Sequence, residues 1–448
     1  MTMRVKGEIT AFLSLIFVLL VSFILSITES AAIQTAKNMS RINVDRSVFS
    51  LFGEYQKELL EEYEIFAFDS GYGSGSFEES KIVDRLSYYG SMGLEQEITD
   101  IQFLTDNNGQ AFREAVIAFM EAGTGIDAVR DVTGLTSQWE EQSIAGSQIS
   151  NEITQSVSQY GSLIPEAASL IQGTRGSAFL SLVLPRDFQL SGKSISLSEQ
   201  VSGREKNTGW GSFPAQQNLD GVEEKLLFQQ YVLDKFGNAV DTKGDNRSLN
   251  YEVEYLLCGN ERDSDNLKEV LTRLLIFRLA MNYLYLQTDT DRQNEAAAMA
   301  VTLSAVLLHP ELESAIRQLL IVLWAFGESV VDLRALLSGE KVSFYKTDES
   351  WQLTLSSLFT LGTAEDAIEG ADAQSGLSYA DYLQILLYLE SEDELTMRAL
   401  DRVEQNLITE KNLSFFKADL CVTKIKLSNK ASIGAGFTYT FPVYYGYL

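Results

Sequence analysis

Between Glu8 and Glu29 the chain runs for twenty residues without a charge, ITAFLSLIFVLLVSFILSIT. As a helix, twenty apolar residues span roughly 30 Å, the hydrocarbon thickness of a bilayer. Core helices of soluble proteins rarely carry so long an uncharged run of Leu, Ile, Phe and Val, so residues 9–28 are read as a transmembrane helix. A secretory signal has a shorter apolar region and a small-residue cleavage site. Ser30-Ala31-Ala32 loosely resembles such a site, but Glu29 stands before it and the chain continues as plausible helix. An uncleaved anchor is therefore expected. Arg4 and Lys6 precede the run, and the positive-inside tendency places residues 1–8 in the cytoplasm and the bulk of the chain outside it. The expected location is the cell membrane, crossed once.

The 448 residues hold 62 Asp and Glu against 35 Lys and Arg, a net charge of -27. Residues 1–29 contribute none of it, since Arg4 and Lys6 balance Glu8 and Glu29. So acidic an exterior argues against nucleic acid as a partner and against anionic headgroups. The expected partners are the membrane lipid bilayer and other proteins. A hydrophobic share of 45% with 4 Trp, 19 Tyr and 24 Phe suffices for a real core. The two cysteines, Cys258 and Cys421, could pair outside the membrane or remain buried thiols in strand-like apolar runs. Their spacing excludes a CxxC metal or redox site.

Helical character continues past the membrane segment. Residues 29–62 hold no Pro, and Val44, Val48, Leu51, Phe52, Tyr55 and Leu59 follow the three-four spacing of one face. One continuous helix from Ile9 to Glu62, roughly 80 Å long, is expected. The head, residues 63–448, is expected to be α+β and helix-dominant with a small antiparallel sheet. Strands are read at 65–68, 98–104 and 251–257, a turn at 106–109 and a flexible loop at 70–76. Helices are read at 111–122, in two pieces from 126 to about 172, and at 265–287, 292–308, 311–337 and 378–409. Ser378 and Asp381 resemble a capping box. Residues 186–222 read as a long surface loop with a domain boundary, and 418–427 with 436–445 as a terminal hairpin. The apolar run 296–308 is too short to span a bilayer and reads as a core helix.

The chemistry-bearing residues are sparse. His309 is the only histidine, set before Pro310, so a Ser-His-Asp triad or a His-bearing zinc site would have to use it, and no GxSxG elbow exists. Ser343-Phe344-Tyr345-Lys346 matches the Ser-x-x-Lys of penicillin-binding enzymes and Ser264-Asp265-Asn266 their second motif, but the order is reversed and the third motif lacks its Gly. Asp289-Thr290-Asp291 opens like a calcium loop without the Gly and Glu that complete one. Glu328 lies in an apolar helix beside Trp324 and Phe326; a buried acid needs a partner, and Arg278 from another helix is the expected one, a structural polar pair. No cofactor and no catalytic residue is expected. A hydrolase using carboxylates alone would need two acids facing one cleft.

The leader KGEITAFLSLIFVLLVSFILSITESAAIQ looks like the N-termini of TadE/TadG-like proteins of tight-adherence pilus systems. Gly7, between Lys6 and the apolar run, sits where prepilin-type leaders carry the glycine at which they are processed. The Glu usual five residues later is replaced by Phe12, which leaves that signal incomplete. The blocks SVFSLFGEYQKELLEEYEIFAF, EYLLCGNERDSDNLKEVLTRLLIFRLAMNYLYL and WAFGESVVDLRALL more closely resemble a Gram-positive family of unknown function, often encoded beside such pilus genes. The resemblance implies a single-pass membrane protein with an extracytoplasmic head. It implies association with pilus or secretion assembly, as a pseudopilin-like or accessory structural component, and brings no catalytic residues. The alternative expectation is a surface sensor or solute-binding ectodomain, which would need a concave pocket in the head.

Overall fold

A computed structural model describes residues 4–123, 132–160, 178–214, 221–363, 365–366, 368–433 and 436–447. The chain divides into two compact units. One comprises Met1–Ala111, Lys206–Gln216 and Phe415–Leu448; the other comprises Phe112–Glu205 and Gln217–Ser414. The chain leaves the second unit at Lys206 and returns to it at Gln217.

The first unit is built on α1, Arg4–Phe52, a helix of 49 residues with Gly7 in its opening turns. Among the described residues nothing packs over its apolar stretch: Phe17 is 67% exposed and Leu19 62%. Its last turns are the opposite, with Val44, Val48, Leu51 and Phe52 buried in the unit's core. The helix does not continue to Glu62 as the sequence suggested. It stops at Phe52, and α2 (Lys57–Tyr63) starts after a turn. The cause is tertiary. The Phe52 ring lies 4.7–5.2 Å from those of Phe68, Tyr445 and Tyr447, and the Tyr447 hydroxyl donates to the Phe52 carbonyl at 2.6 Å. The Gln56 N–H, which a further helical turn would direct at that carbonyl, donates to the Ala67 carbonyl at 2.8 Å.

The four strands β1 (Phe68–Asp69), β2 (Glu95–Phe103), β3 (Cys421–Ser432) and β4 (Thr438–Gly446) form one antiparallel sheet, with α3 (Glu79–Leu86) between β1 and β2 in sequence. β3 is central. β2 pairs along one edge, with Ile101 opposite Ile425, and β4 and β1 share the other. The terminal hairpin is present as expected. The strand expected at 65–68 is displaced: only Phe68 of it pairs, opposite Val422. Trp210, in the segment read as surface loop, pairs its backbone with Ile101.

The helix α4 (Asp106–Gly123) starts in the first unit and continues into the second. Asn107, Asn108 and Gly109 at its start are left-handed, the turn expected at 106–109.

The second unit then holds the helices α5 (Thr133–Tyr160), α6 (Ala178–Val183), α7 (Gly221–Lys235), α8 (Glu252–Cys258), α9 (Asp263–Thr288), α10 (Thr290–Val306), α11 (Glu313–Leu337), α12 (Tyr379–Leu389) and α13 (Glu392–Glu410). The flanks of α5, over 124–131 and 161–177, lie outside the described residues. α11 is the centre of this unit. Every residue from 319 to 337 is buried, as an all-round apolar helix requires. α9 and α10 pack against it.

Two expectations fail here. Residues 251–257 form helix rather than strand. The alternation of aromatic and acidic residues looked like a half-buried strand, yet Glu252 and Glu254 are as buried as their neighbours. The helix 378–409 is two helices, broken at Glu390 and Ser391, where the Glu390 backbone is extended. The capping box of Ser378 and Asp381 is formed.

Candidate functional site

A dense network of buried charge lies where α9, α11 and α12 meet the extended segment 341–353. Glu328, Ser329 and Asp332 stand on one face of α11, since positions four apart project together. Arg278 and Asn282 stand likewise on α9. The Arg278 Nε donates to Asp332 Oδ2 at 2.9 Å, and its Nη1 to the carbonyls of Ser343 and Phe344 at 3.0 and 3.1 Å and to the Tyr382 hydroxyl at 3.2 Å. Asn282 donates to Asp332 and to the Ser329 hydroxyl, both at 2.9 Å. Lys346 Nζ donates to Glu328, to Asp332 Oδ1 at 2.7 Å and to the Ser350 carbonyl at 3.0 Å. Glu328 also accepts the backbone N–H groups of Gln352 and Leu353. Gly327 makes this approach feasible: a Cβ there would stand 2.6 Å from the Leu353 side chain.

The structure therefore puts Glu328 and Arg278 in one network without pairing them. Asp332 lies between, and the cation against Glu328 is Lys346. Side chains of Glu328, Asp332 and Arg278 are wholly buried. Burial raises the Glu328 carboxyl above its ordinary range against the pull of Lys346. Burial would raise Asp332 as well, but Arg278 and Lys346 together hold it below its ordinary value. Two acids and two bases balance. The three ammonium protons of Lys346 are all committed to acceptors, so it offers no lone pair for nucleophilic chemistry. Ser343 contributes its carbonyl rather than its hydroxyl. Sequence reasoning met Lys346 only inside the Ser-x-x-Lys pattern. Two acids four apart in an apolar helix were a signal that two cations were needed.

Beside this network is a cleft of about 430 Å³ lined by Gln138, Glu141, Gln142, Met281, Leu284, Tyr285, Thr288, Tyr345 and Lys346. The Tyr345 hydroxyl donates to Gln138. The Tyr285 ring stacks on Trp351 at 5.4 Å, with the Arg292 guanidinium over both. Glu141 is the single carboxylate in the lining. Amides, phenols and one acid can bind a small polar solute by hydrogen bonds. They do not supply the opposed pair of acids that glycoside hydrolysis needs.

The remaining candidates stand apart. Cys258 and Cys421 are free thiols, one in each unit. Cys258 is pushed up to about 12 by burial, which makes it a poor thiolate. His309 is exposed, with Nδ1 at 2.8 Å from Glu311. Asp289 caps α10 by accepting the Arg292 N–H. Among the described residues no three His, Cys, Asp or Glu side chains gather as a metal site would need.

No curated protein and no solved structure matches this chain. The profile of a family described as "Family of unknown function (DUF5702)" matches residues 164–433, more than half of the sequence. The match takes in α6 to α13, the network around Asp332 and the whole of β3. The chain belongs to the DUF5702 family of unknown function.

Proposed function

We propose that this protein is a non-enzymatic, single-pass membrane protein, oriented with residues 1–8 in the cytoplasm. In this reading it serves as an accessory or pseudopilin-like structural component of a pilus or secretion assembly. The observation that carries the anchor is α1, whose apolar stretch is uncovered while its last turns are fixed in a folded core. The assembly role draws on the resemblance of the leader to TadE/TadG-like proteins and on a buried charge network with no free nucleophile.

The fourteen Leu, Ile, Phe and Val of residues 9–28 favour insertion by about 4–8 kcal/mol. Each Arg at the centre costs about 3 kcal/mol. One substitution should be tolerated, and the double variant Leu15→Arg, Leu19→Arg should bring insertion close to balance. The full chain should stay in the membrane fraction and the double variant should leave it substantially. Equal partitioning of both would overturn the anchor. Copurification from membranes that recovers no pilus or secretion component would overturn the assembly role. A second reading, a solute-binding ectodomain, draws on the cleft; polar solutes that raise the unfolding midpoint, and lose the effect in Gln142→Ala, would favour it.

A further inference from the structure

Among the described residues of the second unit, none covers the outer face of α10. Ala296, Ala300 and Ser304 turn inward. On the other side Val301 is 50% exposed and Val306 74%, with Ala298, Thr302 and Ala305 exposed on the same face. The ridge ends in Leu308, which is 85% exposed. From Ala296 to Leu308 there is no charge, a length of roughly 20 Å in a helix.

Leu308 also sits in a strained backbone position. Its φ is +60°, and the His309 N–H closes back on the Ser304 carbonyl at 3.0 Å, the Schellman ending of a helix. Glycine is the usual residue there, because a side chain at positive φ is strained. The chain instead places a large apolar side chain at that point and turns it to solvent. Folding gains nothing from this arrangement, whereas a contact made outside the chain would.

The ends of the ridge indicate what makes that contact. Asp291 and Glu295 are exposed at one end, Glu311 and Glu313 at the other. A second copy related by a two-fold axis would bring these acids against each other. An anionic bilayer surface would repel them. We infer that this ridge docks a different protein through an amphipathic helix, one with an apolar stripe and Lys or Arg at both ends, roughly 20 Å apart.

The inference rests on the accessory-protein reading, which supplies the reason for a partner. The two fail separately: peptide binding tests the ridge, and copurification tests that reading.

The test uses the full chain in detergent and two synthetic helical peptides with one Leu stripe, flanked by Lys and Arg in the first and by Glu in the second. Fluorescence anisotropy should show the basic peptide binding at least tenfold tighter, with the preference shrinking as salt rises. Val306→Ser with Leu308→Gly should weaken it at least tenfold. Glycine suits the backbone at 308, so the unfolding midpoint of the Leu308→Gly single variant should hold or rise, which separates lost docking from lost folding. Glu295→Lys with Glu311→Lys leaves each end of the ridge with one acid and one base, and should abolish the preference between peptides. Equal affinity for both peptides would overturn the inference. So would a concentration-dependent dimer abolished by the ridge variants. Burial of a fluorescent label at Leu308→Cys by a phosphatidylcholine nanodisc would likewise overturn it, in favour of lipid.

Discussion

Asp332 is the pivot of the buried network, because Arg278, Asn282 and Lys346 all donate to it. Removing a single partner leaves an uncompensated buried charge, which typically costs about 3–5 kcal/mol. Lys346→Met should therefore destabilise the second unit by about that much, since Glu328 and Asp332 would face Arg278 alone. Glu328→Ala should cost about 3 kcal/mol, since it orphans the N–H groups of Gln352 and Leu353 as well. Chemical unfolding of each variant checks both, and wild-type midpoints would count against the network as drawn. Glu254 behaves differently. It accepts from the Ala239 N–H at 2.9 Å and the Tyr379 hydroxyl at 2.8 Å, but one of its oxygens is buried with no donor. Burial pushes its carboxyl from 4.5 up to about 7. The folded state thus binds the proton more tightly than the unfolded state. That contribution to stability is full below about pH 4.5 and is lost as pH rises through about 7, on the order of 3 kcal/mol in all. Glu254→Gln imitates the protonated side chain. Its unfolding midpoint relative to wild type should climb between pH 5 and pH 8, and parallel pH profiles for the two proteins would sink this assignment.

Whole elements follow the sequence wherever periodicity and local chemistry agree. α9 was legible because its apolar residues recur at helical spacing, and Ser378 because its capping partner is three residues away. Ser378→Ala should cost the second unit about 1 kcal/mol, read as a lower unfolding midpoint, since the hydroxyl accepts the Asp381 N–H that starts α12. Where the deciding contacts are distant in sequence, the local pattern misled. The stretch 251–257 alternates like a strand only if its acids face water. Glu252 is instead held by Arg247 and Asn406, and Glu254 by Tyr379, the last two partners lying 154 and 125 residues away. The end of α1 is set by Tyr447, 395 residues on. At the break between α12 and α13 the Glu390 side chain pairs with Arg273, 117 residues earlier, at 2.6 Å. The network itself was half legible. Glu328 announced a buried acid, but nothing local distinguished Lys346 from Arg278 as its cation.

For the whole molecule the decisive balance is between one apolar helix and a net charge of -27. Charge and hydrophobicity predict opposite responses to salt. A protein held to membranes by basic patches is released when salt shortens the Debye length, to about 3 Å at about 1 M. Here the charge has the wrong sign for attraction to anionic headgroups, and what repulsion it exerts is screened by the same salt. Retention through residues 9–28 depends on transfer of apolar side chains, which salt does not weaken. The full chain should therefore stay in the membrane fraction through washes in about 1 M salt and in alkaline carbonate, and come off only in detergent. Binding to anionic vesicles should be no tighter than binding to neutral ones. Release by salt alone would mean that the association runs through a partner's charges rather than through α1, and the anchor would have to be abandoned in favour of a peripheral protein.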